Sequence, residues 1–170
     1  MRGIAWLVVA AVGAALVAPS ALPRLIERLA APAAAPTALV EKDQLASGVN
    51  RIAVAPGPGG HFYLEARVHG EPIRFVVDTG ASAVVLDPED ARRIGLAPER
   101  LRFSERFRTA NGLVRVAPVT LRELRIGQLA LPHLPAVVNE APIGVSLLGT
   151  SFLARLQGWR VEGGRLLLEW

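Results

Sequence analysis

Asp78 is the residue whose setting in this sequence is best suited to catalysis. It opens the stretch Asp-Thr-Gly-Ala-Ser at residues 78–82, and apolar runs at residues 73–77 and 83–86 lie on either side. A short apolar run bounded by turn residues is typical of a buried strand, so we expect the carboxylate at a tight turn between two strands. A carboxylate in that position does acid–base chemistry when a second one lies close by, because the pair then shares one proton. The alternative interpretation is a carboxylate that only caps the turn.

The elements that must position this turn are short strands. Residues 62–68 alternate between apolar and polar side chains, which is the period of a strand with one buried face. Residues 69–72 contain turn formers, so the strand that carries Asp78 is expected to return antiparallel to the preceding one. An earlier strand is expected at residues 51–55, since the Pro- and Gly-rich residues 56–60 would break it.

The chain after Asp78 adds a helix and a hairpin. Asp87 at the N-cap, Pro88 at the first helical position and Gly95 after the last turn predict a short helix. Asn-Gly at residues 111–112, between two strand-like arms, predicts a hairpin over residues 107–116. Further strands, the first with a bulge or kink near Glu123, are expected at residues 119–126, 129–131, 136–138, 159–161 and 166–168.

These motifs, in this order, resemble the retropepsin-like aspartic proteases. Asp-Thr-Gly-Ala-Ser between two apolar strands is similar to the active-site loop of that family. Leu-Leu-Gly at residues 147–149, followed by a short helix, is similar to the hydrophobic-hydrophobic-glycine element that crosses beneath the loop. The hairpin stands where the family has the flap that closes over substrate, and an ordinary surface hairpin is the alternative. The resemblance covers about residues 50–170 and looks closest to a bacterial, membrane-anchored branch with one short protease domain.

The resemblance implies a fold and a set of site residues. The fold is an all-β retropepsin-like single lobe, a closed or partly open β-barrel with a flap hairpin and one or two short helices. The implied catalytic residue is Asp78. The residues implied to support the active-site loop are Thr79, Gly80, Ala81 and Ser82. The residues implied to form the flap are Thr109, Ala110, Asn111 and Gly112.

One aspartate loop has a consequence for the assembly. Aspartic proteolysis needs two carboxylates that share a proton around one water molecule. The sequence holds a single Asp-Thr-Gly, Asp87 and Asp90 belong to the start of the predicted helix, and the domain is too short for two lobes. We therefore expect an aspartic endopeptidase that acts as a homodimer, with Asp78 from each copy across a two-fold axis. The resemblance further implies that Thr79 hydrogen-bonds into the partner's loop.

Two functions of other classes compete with the protease. One is a catalytically silent β-domain that binds extended peptides by strand addition, and the other is a structural module of the cell envelope. The intact Asp-Thr-Gly favours the protease, since a pure binder does not need the carboxylate.

Composition argues against other kinds of site. There is no cysteine, so neither a disulfide framework nor a thiolate metal site is expected. His61, His69 and His133 are isolated and lack ligand-like spacing, so no metal and no other cofactor is expected. The formal net charge is +4, but the arginines are scattered and aromatic residues are few, so nucleic-acid binding is not expected.

The N-terminal residues predict a membrane segment. Residues 3–23 contain no charged side chain, and about 20 apolar residues in a helix span a bilayer core. Small residues at 18–21 also suit a cleavable signal peptide, although we favour an uncleaved anchor. The protein is expected at the bacterial inner membrane, with the folded domain facing the periplasm or the cell exterior. The predicted organisation is a transmembrane segment at residues 1–23, an Ala- and Pro-rich linker at 24–49, and the protease domain at 50–170.

Overall fold

The computed structural model describes residues 49–109 and 112–170. This part of the chain contains ten strands, two short α-helices and two single 3₁₀ turns, at Pro58–Gly60 and Pro98–Arg100. The helices are α1 (Pro88–Arg93) and α2 (Thr150–Leu153). The strands are β1 (Arg51–Val54), β2 (Phe62–Val68), β3 (Glu71–Val77), β4 (Val84–Leu86), β5 (Glu105–Thr109), β6 (Gly112–Ile126), β7 (Leu129–Asn139), β8 (Ser146–Leu148), β9 (Gly158–Glu162) and β10 (Arg165–Glu169).

Seven of these strands form a sheet that closes on itself. Their order is β2-β3-β8-β4-β7-β6-β5, and β6 also pairs with β2. Six strands therefore make a ring, and β5 stands outside it, paired only with the first residues of β6. The expectation of an all-β fold with one or two short helices is confirmed. The predicted helix also begins as expected, because the Asp87 side chain accepts the Glu89 N–H at its N-terminus.

Two hydrophobic clusters lie on opposite faces of the middle strands. The larger one fills the ring and includes Val84 and Leu86 of β4 together with Phe75 and Phe152. The smaller one contains Val85, Val116 and Val137, with side chains of the β5–β6 hairpin packed against it. Alternate residues of a strand point to opposite faces, so β4 is apolar at every position because both of its faces are covered.

A separate three-stranded sheet joins the two ends of the domain. Its order is β1-β10-β9. The Glu169 carboxylate on β10 accepts hydrogen bonds from Arg160 on β9 at 2.7 Å and from Arg51 on β1 at 2.6 Å. Both guanidinium groups hold the pKa of Glu169 below its usual range, and the hydrogen bond from Arg160 contributes more than the one from Arg51. One carboxylate therefore links all three strands.

The strand predicted at residues 119–126 is the second half of a longer one. β6 runs for 15 residues, and its first half belongs to the hairpin. Of the bulge or kink expected near Glu123, the bulge is absent, because the β6–β7 register does not shift along its length. The irregularity is instead a skipped pair, Arg122 and His133, where His133 has a φ of 49°. A positive φ at a non-glycine residue interrupts the ladder without inserting an extra residue.

The predicted membrane segment and nearly all of the predicted linker lie outside the described residues. Within residues 49–109 and 112–170, no helix is long and apolar enough to cross a membrane. The domain boundaries and the location of the protein stay predictions.

Candidate active site

Asp78 lies immediately after β3, beside the end of the parallel strand β8. Its backbone N–H donates to the Leu148 carbonyl oxygen at 3.0 Å, and its carbonyl oxygen accepts the Ala81 N–H at 3.2 Å. The side chain is half-buried, and the Gly80 N–H donates to Oδ1 at 2.8 Å. The loop thus fixes one carboxylate oxygen, and Oδ2 is left without a hydrogen-bond partner in the described part of the chain.

The start of α2 braces this loop. The Thr150 N–H donates to the Ala81 carbonyl oxygen at 2.8 Å, and the Ser151 N–H donates to that of Ser82 at 3.2 Å. A Cβ at Gly149 would lie only 2.5 Å from the Ala81 carbonyl oxygen, so the two backbones touch here. The Leu-Leu-Gly element therefore does cross against the Asp78 loop, since β8 lies between β3 and β4 in the sheet.

The Asp78 loop also contains Thr79 and Ser82. Both residues are exposed. Among the described residues, the Thr79 hydroxyl has no hydrogen-bond partner, so it is available to a group outside the chain. Its expected bond to a partner loop stays a prediction.

A cavity of about 580 Å³ opens beside Asp78. This volume lies within the range of small-ligand and peptide side-chain pockets, about 300–1,000 Å³. Its walls come from the Asp78 loop, the smaller hydrophobic cluster and the β5–β6 hairpin. The lining residues are Asp78, Gly80, Ala81, Ser82, Ala83, Val85, Arg106, Phe107, Arg108, Thr109, Val114, Ile143 and Leu147.

The hairpin contributes its apolar face to the cavity. Phe107 and Val114 lie opposite each other on β5 and β6, and both pack against the smaller cluster. At the tip, the Thr109 hydroxyl donates to the Gly112 carbonyl oxygen at 2.9 Å. Thr109 is thus both a cavity residue and a tip residue, whereas two of the predicted flap residues, Ala110 and Asn111, lie outside the described residues.

Sequence reasoning missed one wall of the cavity. Ile143 lies in the irregular segment between β7 and β8, far from Asp78 along the chain. No local pattern marks it, because only the packing of β8 between β3 and β4 brings that segment to the site. The same reasoning assigned Asp87 to the helix start alone, and the structure gives it contacts to this segment as well.

The arrangement provides one carboxylate at an apolar cleft. Asp78 is the one acidic residue among the described residues that line the cavity. A single carboxylate can act as a base, but it cannot at the same time protonate the leaving group. Two-carboxylate chemistry at this cavity would need a second carboxylate that its described lining residues do not supply.

Comparison with known proteins identifies the family. A family model described as "gag-polyprotein putative aspartyl protease" matches residues 64–155, more than half of the chain. An uncharacterized protein of Rickettsia prowazekii, RP867, is 34% identical over 134 residues, which cover 79% of this chain and 58% of the relative. The chain spans only about half the length of the curated relatives it matches, 58% and 48%.

Solved structures agree with the sequence matches. The crystal structure of a retropepsin-like aspartic protease from Rickettsia conorii is 37% identical and aligns with a TM-score of 0.66, over 72% of this chain and 92% of that one. The EIAV protease, solved with the inhibitor HBY-793, aligns with a TM-score of 0.53 over 64% of this chain and all of that one. At 18% identity, this second match supports the fold alone. The protein thus belongs to the retropepsin-like aspartic protease family.

Proposed function

We propose that the protein is an aspartic endopeptidase whose active site forms between two copies of the chain. The observation that carries this proposal is the position of Asp78, half-buried at a cavity between the loop and the hairpin, with Oδ1 held by the Gly80 N–H and Oδ2 open. A second Asp78, brought up by a two-fold axis, supplies the missing carboxylate.

The proposed mechanism follows from two carboxyls close together. At about 3 Å they cannot both ionise cheaply, so the pair carries one proton over a range of pH. The ionised member takes a proton from a water molecule as that water attacks the peptide carbonyl carbon. The protonated member hydrogen-bonds the carbonyl oxygen, and a proton is then delivered to the amine as the C–N bond breaks. The titration belongs to the pair, not to either residue.

The β5–β6 hairpin is proposed as the flap. Its apolar face, with Phe107 and Val114, already lines the cavity. A peptide bound in extended form would lie between this face and the Asp78 loops. Closing the hairpin over it would exclude water from the reacting carbonyl.

The second copy is proposed to add at β9. In the described part of the chain this strand is an edge of the three-stranded sheet. Trp159 and Val161, two residues apart on one face of it, are 43% and 57% exposed. An antiparallel two-fold pairing centred on Val161 places each copy's Arg160 opposite the other's Glu162, which favours that register.

The test is cleavage by the purified full-length chain, in detergent, of a mixed peptide library at several pH values with mass-spectrometric readout. We expect Asp78→Asn to fold normally and to lose about 10²–10⁴-fold or more in cleavage rate, because the amide cannot take a proton from water. Glu65→Gln, the same chemical change at an exposed site on β2, should cleave like the parent.

The possible results of the cleavage assay distinguish the protease from the binding domain. Cleavage retained by Asp78→Asn would remove Asp78 from the mechanism. A folded, dimeric parent that cleaves nothing but captures extended peptides would contradict the enzyme and support the binding domain. The proposal also includes a membrane anchor at residues 1–23 and a periplasmic or external location. Both rest on the N-terminal sequence pattern.

A further inference from the structure

We propose that Asp87, outside the cavity, is a positioning residue that holds the Ile143 wall of the Asp78 site in place. The proposal rests on the proposed function and names a residue that determines substrate selection at that same site. Ile143 lines the cavity from residues 140–145, the connection between β7 and β8, and its side chain is 38% exposed. This connection has no helix or strand structure of its own, so something else must fix it.

The first residues of the connection are held by the Glu140 N–H, which donates to the Arg115 carbonyl oxygen, and by the Asn139 amide, which donates to the Ala141 carbonyl oxygen. Asp87 holds the part that contains Ile143. Its carboxylate Oδ2 accepts the Ile143 N–H at 2.8 Å and the Gly144 N–H at 2.9 Å. Oδ1 accepts the Glu89 N–H at 2.8 Å, which is the N-cap bond of α1. The two oxygens thus have different tasks: one caps the helix and the other binds the cavity wall. The Asp87 residue is only 6% exposed, so water competes little for these bonds.

The backbone of Asp87 is also held by a hydrogen bond. Its backbone N–H donates to the Ser146 hydroxyl at 3.0 Å, and that hydroxyl donates to Asp90 Oδ2 at 2.7 Å. Asp90 in turn accepts a hydrogen bond from Arg93. Ser146 is fully buried and begins β8, whose next residue, Leu147, lines the cavity. The wall is therefore tied to α1, an element that does not itself line the site.

The hydrogen bonds of Asp87 favour its charged form. Burial alone would raise the pKa of this carboxyl, but its hydrogen bonds from the Glu89, Ile143 and Gly144 amides, with Arg92 nearby, keep the pKa below the ordinary value. Stabilisation from a depressed pKa is present above the unfolded value and is lost as pH falls through the lower folded value. The contact between Asp87 and the wall is thus expected to persist to lower pH than that of an ordinary aspartate.

A helix cap alone would explain part of this geometry, and suitable variants separate the two roles. Asp87→Asn and Asp87→Ser both leave a good N-cap residue on α1. Neither offers a second carboxylate oxygen to the Ile143 and Gly144 amides. Glu89→Gln, a change in the first turn that leaves both Asp87 oxygens in place, is the matched control.

The experiment measures the full-length chain by two readouts. Native-state hydrogen exchange of the Ile143 and Gly144 amides should speed up about tenfold or more in Asp87→Asn, since bonds to a charged acceptor are the strong ones. On a peptide panel that varies the side chains around the cleaved bond, KM should rise about tenfold with little change in kcat, and preference among side chains should flatten. Glu89→Gln should change neither readout.

The outcomes are distinguishable from those of the proposed function. Unchanged exchange in a folded Asp87→Asn or Asp87→Ser variant overturns the proposal, as does faster exchange with unchanged KM and unchanged preference. If neither variant folds, the parent and Ile143→Ala decide together. Ile143 and Gly144 amides that exchange in the parent as fast as unprotected amides, or retained preference in Ile143→Ala, overturn the proposal, whereas protected amides with lost preference support it. If the parent cleaves no peptide, the proposed function fails, and the exchange measurement still decides whether Asp87 holds the wall.

Discussion

At the scale of single residues, the glycines around Asp78 are required by close approach and not by an unusual backbone conformation. A Cβ at Gly80 would lie 3.1 Å from Asp78 Oδ1, which is the oxygen that the Gly80 N–H holds. Neither Gly80 nor Gly149 has a positive φ. Any side chain at Gly80 would press on the carboxylate, so the motif keeps both the N–H and the space beside it.

Gly149→Ala tests the closest of these contacts. The new Cβ would lie 2.3 Å from the Ala83 carbonyl oxygen and 2.5 Å from that of Ala81, and both are backbone atoms that cannot turn aside. We expect the free energy of unfolding to fall by about 1–3 kcal/mol or more, as for other overpacked sites. Urea denaturation followed by circular dichroism measures this change.

Gly158→Ala is the control for that substitution. Its Cβ would meet only the end of the Glu169 side chain, at 3.4 Å, on an edge strand. A change within about 0.5 kcal/mol is expected there. Equal effects at the two positions would mean that the Asp78 loop relaxes away from Gly149 at little cost.

At the scale of elements, His69 joins three pieces of the fold. It follows β2, and its Nε2 accepts the Arg122 N–H of β6 at 3.0 Å. This leaves Nδ1 to donate to the Ile94 carbonyl oxygen after α1, at 3.2 Å. Arg122 is the β6 residue whose pair with His133 is skipped, so its N–H turns to His69 instead. The imidazole thus accepts the backbone N–H of the β6 residue whose pair is missing from the β6–β7 ladder.

His69→Asn removes these bonds and keeps a residue that tolerates the φ of 54°. We expect a loss of about 1–3 kcal/mol in the free energy of unfolding, because the Arg122 N–H and the Ile94 carbonyl oxygen lose their partner. The midpoint of urea unfolding reports it.

His133→Asn is the matched substitution. His133 also has a positive φ, 49°, but it is exposed, and its imidazole has no hydrogen-bond partner among the described residues. We expect a change within about 0.5 kcal/mol. A loss at His69 no greater than at His133 would refute the structural role of the His69 ring.

β7 shows how prolines are accommodated inside a long strand. It carries Pro132 and Pro135, which cannot donate a ladder hydrogen bond. On its second side β7 pairs with β4 only over residues 136–138. Both prolines therefore lie where one side of the strand is open, and the fully paired stretch begins after them.

At the scale of the whole molecule, the dimer is the feature on which the proposed activity depends. Val161→Glu places a charge at the centre of the proposed β9 pairing, where two copies would bring two carboxylates together. We expect the dissociation constant of the dimer to rise about tenfold or more, and cleavage to fall in parallel at low enzyme concentration. Sedimentation equilibrium measures the first quantity and a peptide assay the second.

Gln128→Glu adds the same charge at the exposed β6–β7 turn and controls for net charge. It should leave the dimer unchanged. A Val161→Glu protein that dimerises like the parent would place the partner elsewhere, whereas a monomer that still cleaves with full activity would contradict the two-copy site itself.

The sequence by itself determined the family, the Asp78 loop and most of the local elements. Alternation along residues 62–68, the cap at Asp87 and the turn at Gly80 are short-range patterns, and each acts on the backbone within a few residues of itself. The membrane and domain assignments come from the same kind of pattern and stay predictions.

Only the tertiary structure decided what the loop faces. Ile143 lines the cavity, and its N–H donates to Asp87, which lies 56 residues away along the chain. His69 finds Arg122 across 53 residues of chain. Such contacts leave no periodic pattern in the sequence, because they depend on which strand lies beside which. The order β3-β8-β4 places a late strand, β8, between two early ones. The sequence therefore predicted the Asp78 loop, whereas the closure of the sheet determined the shape of the cleft around it.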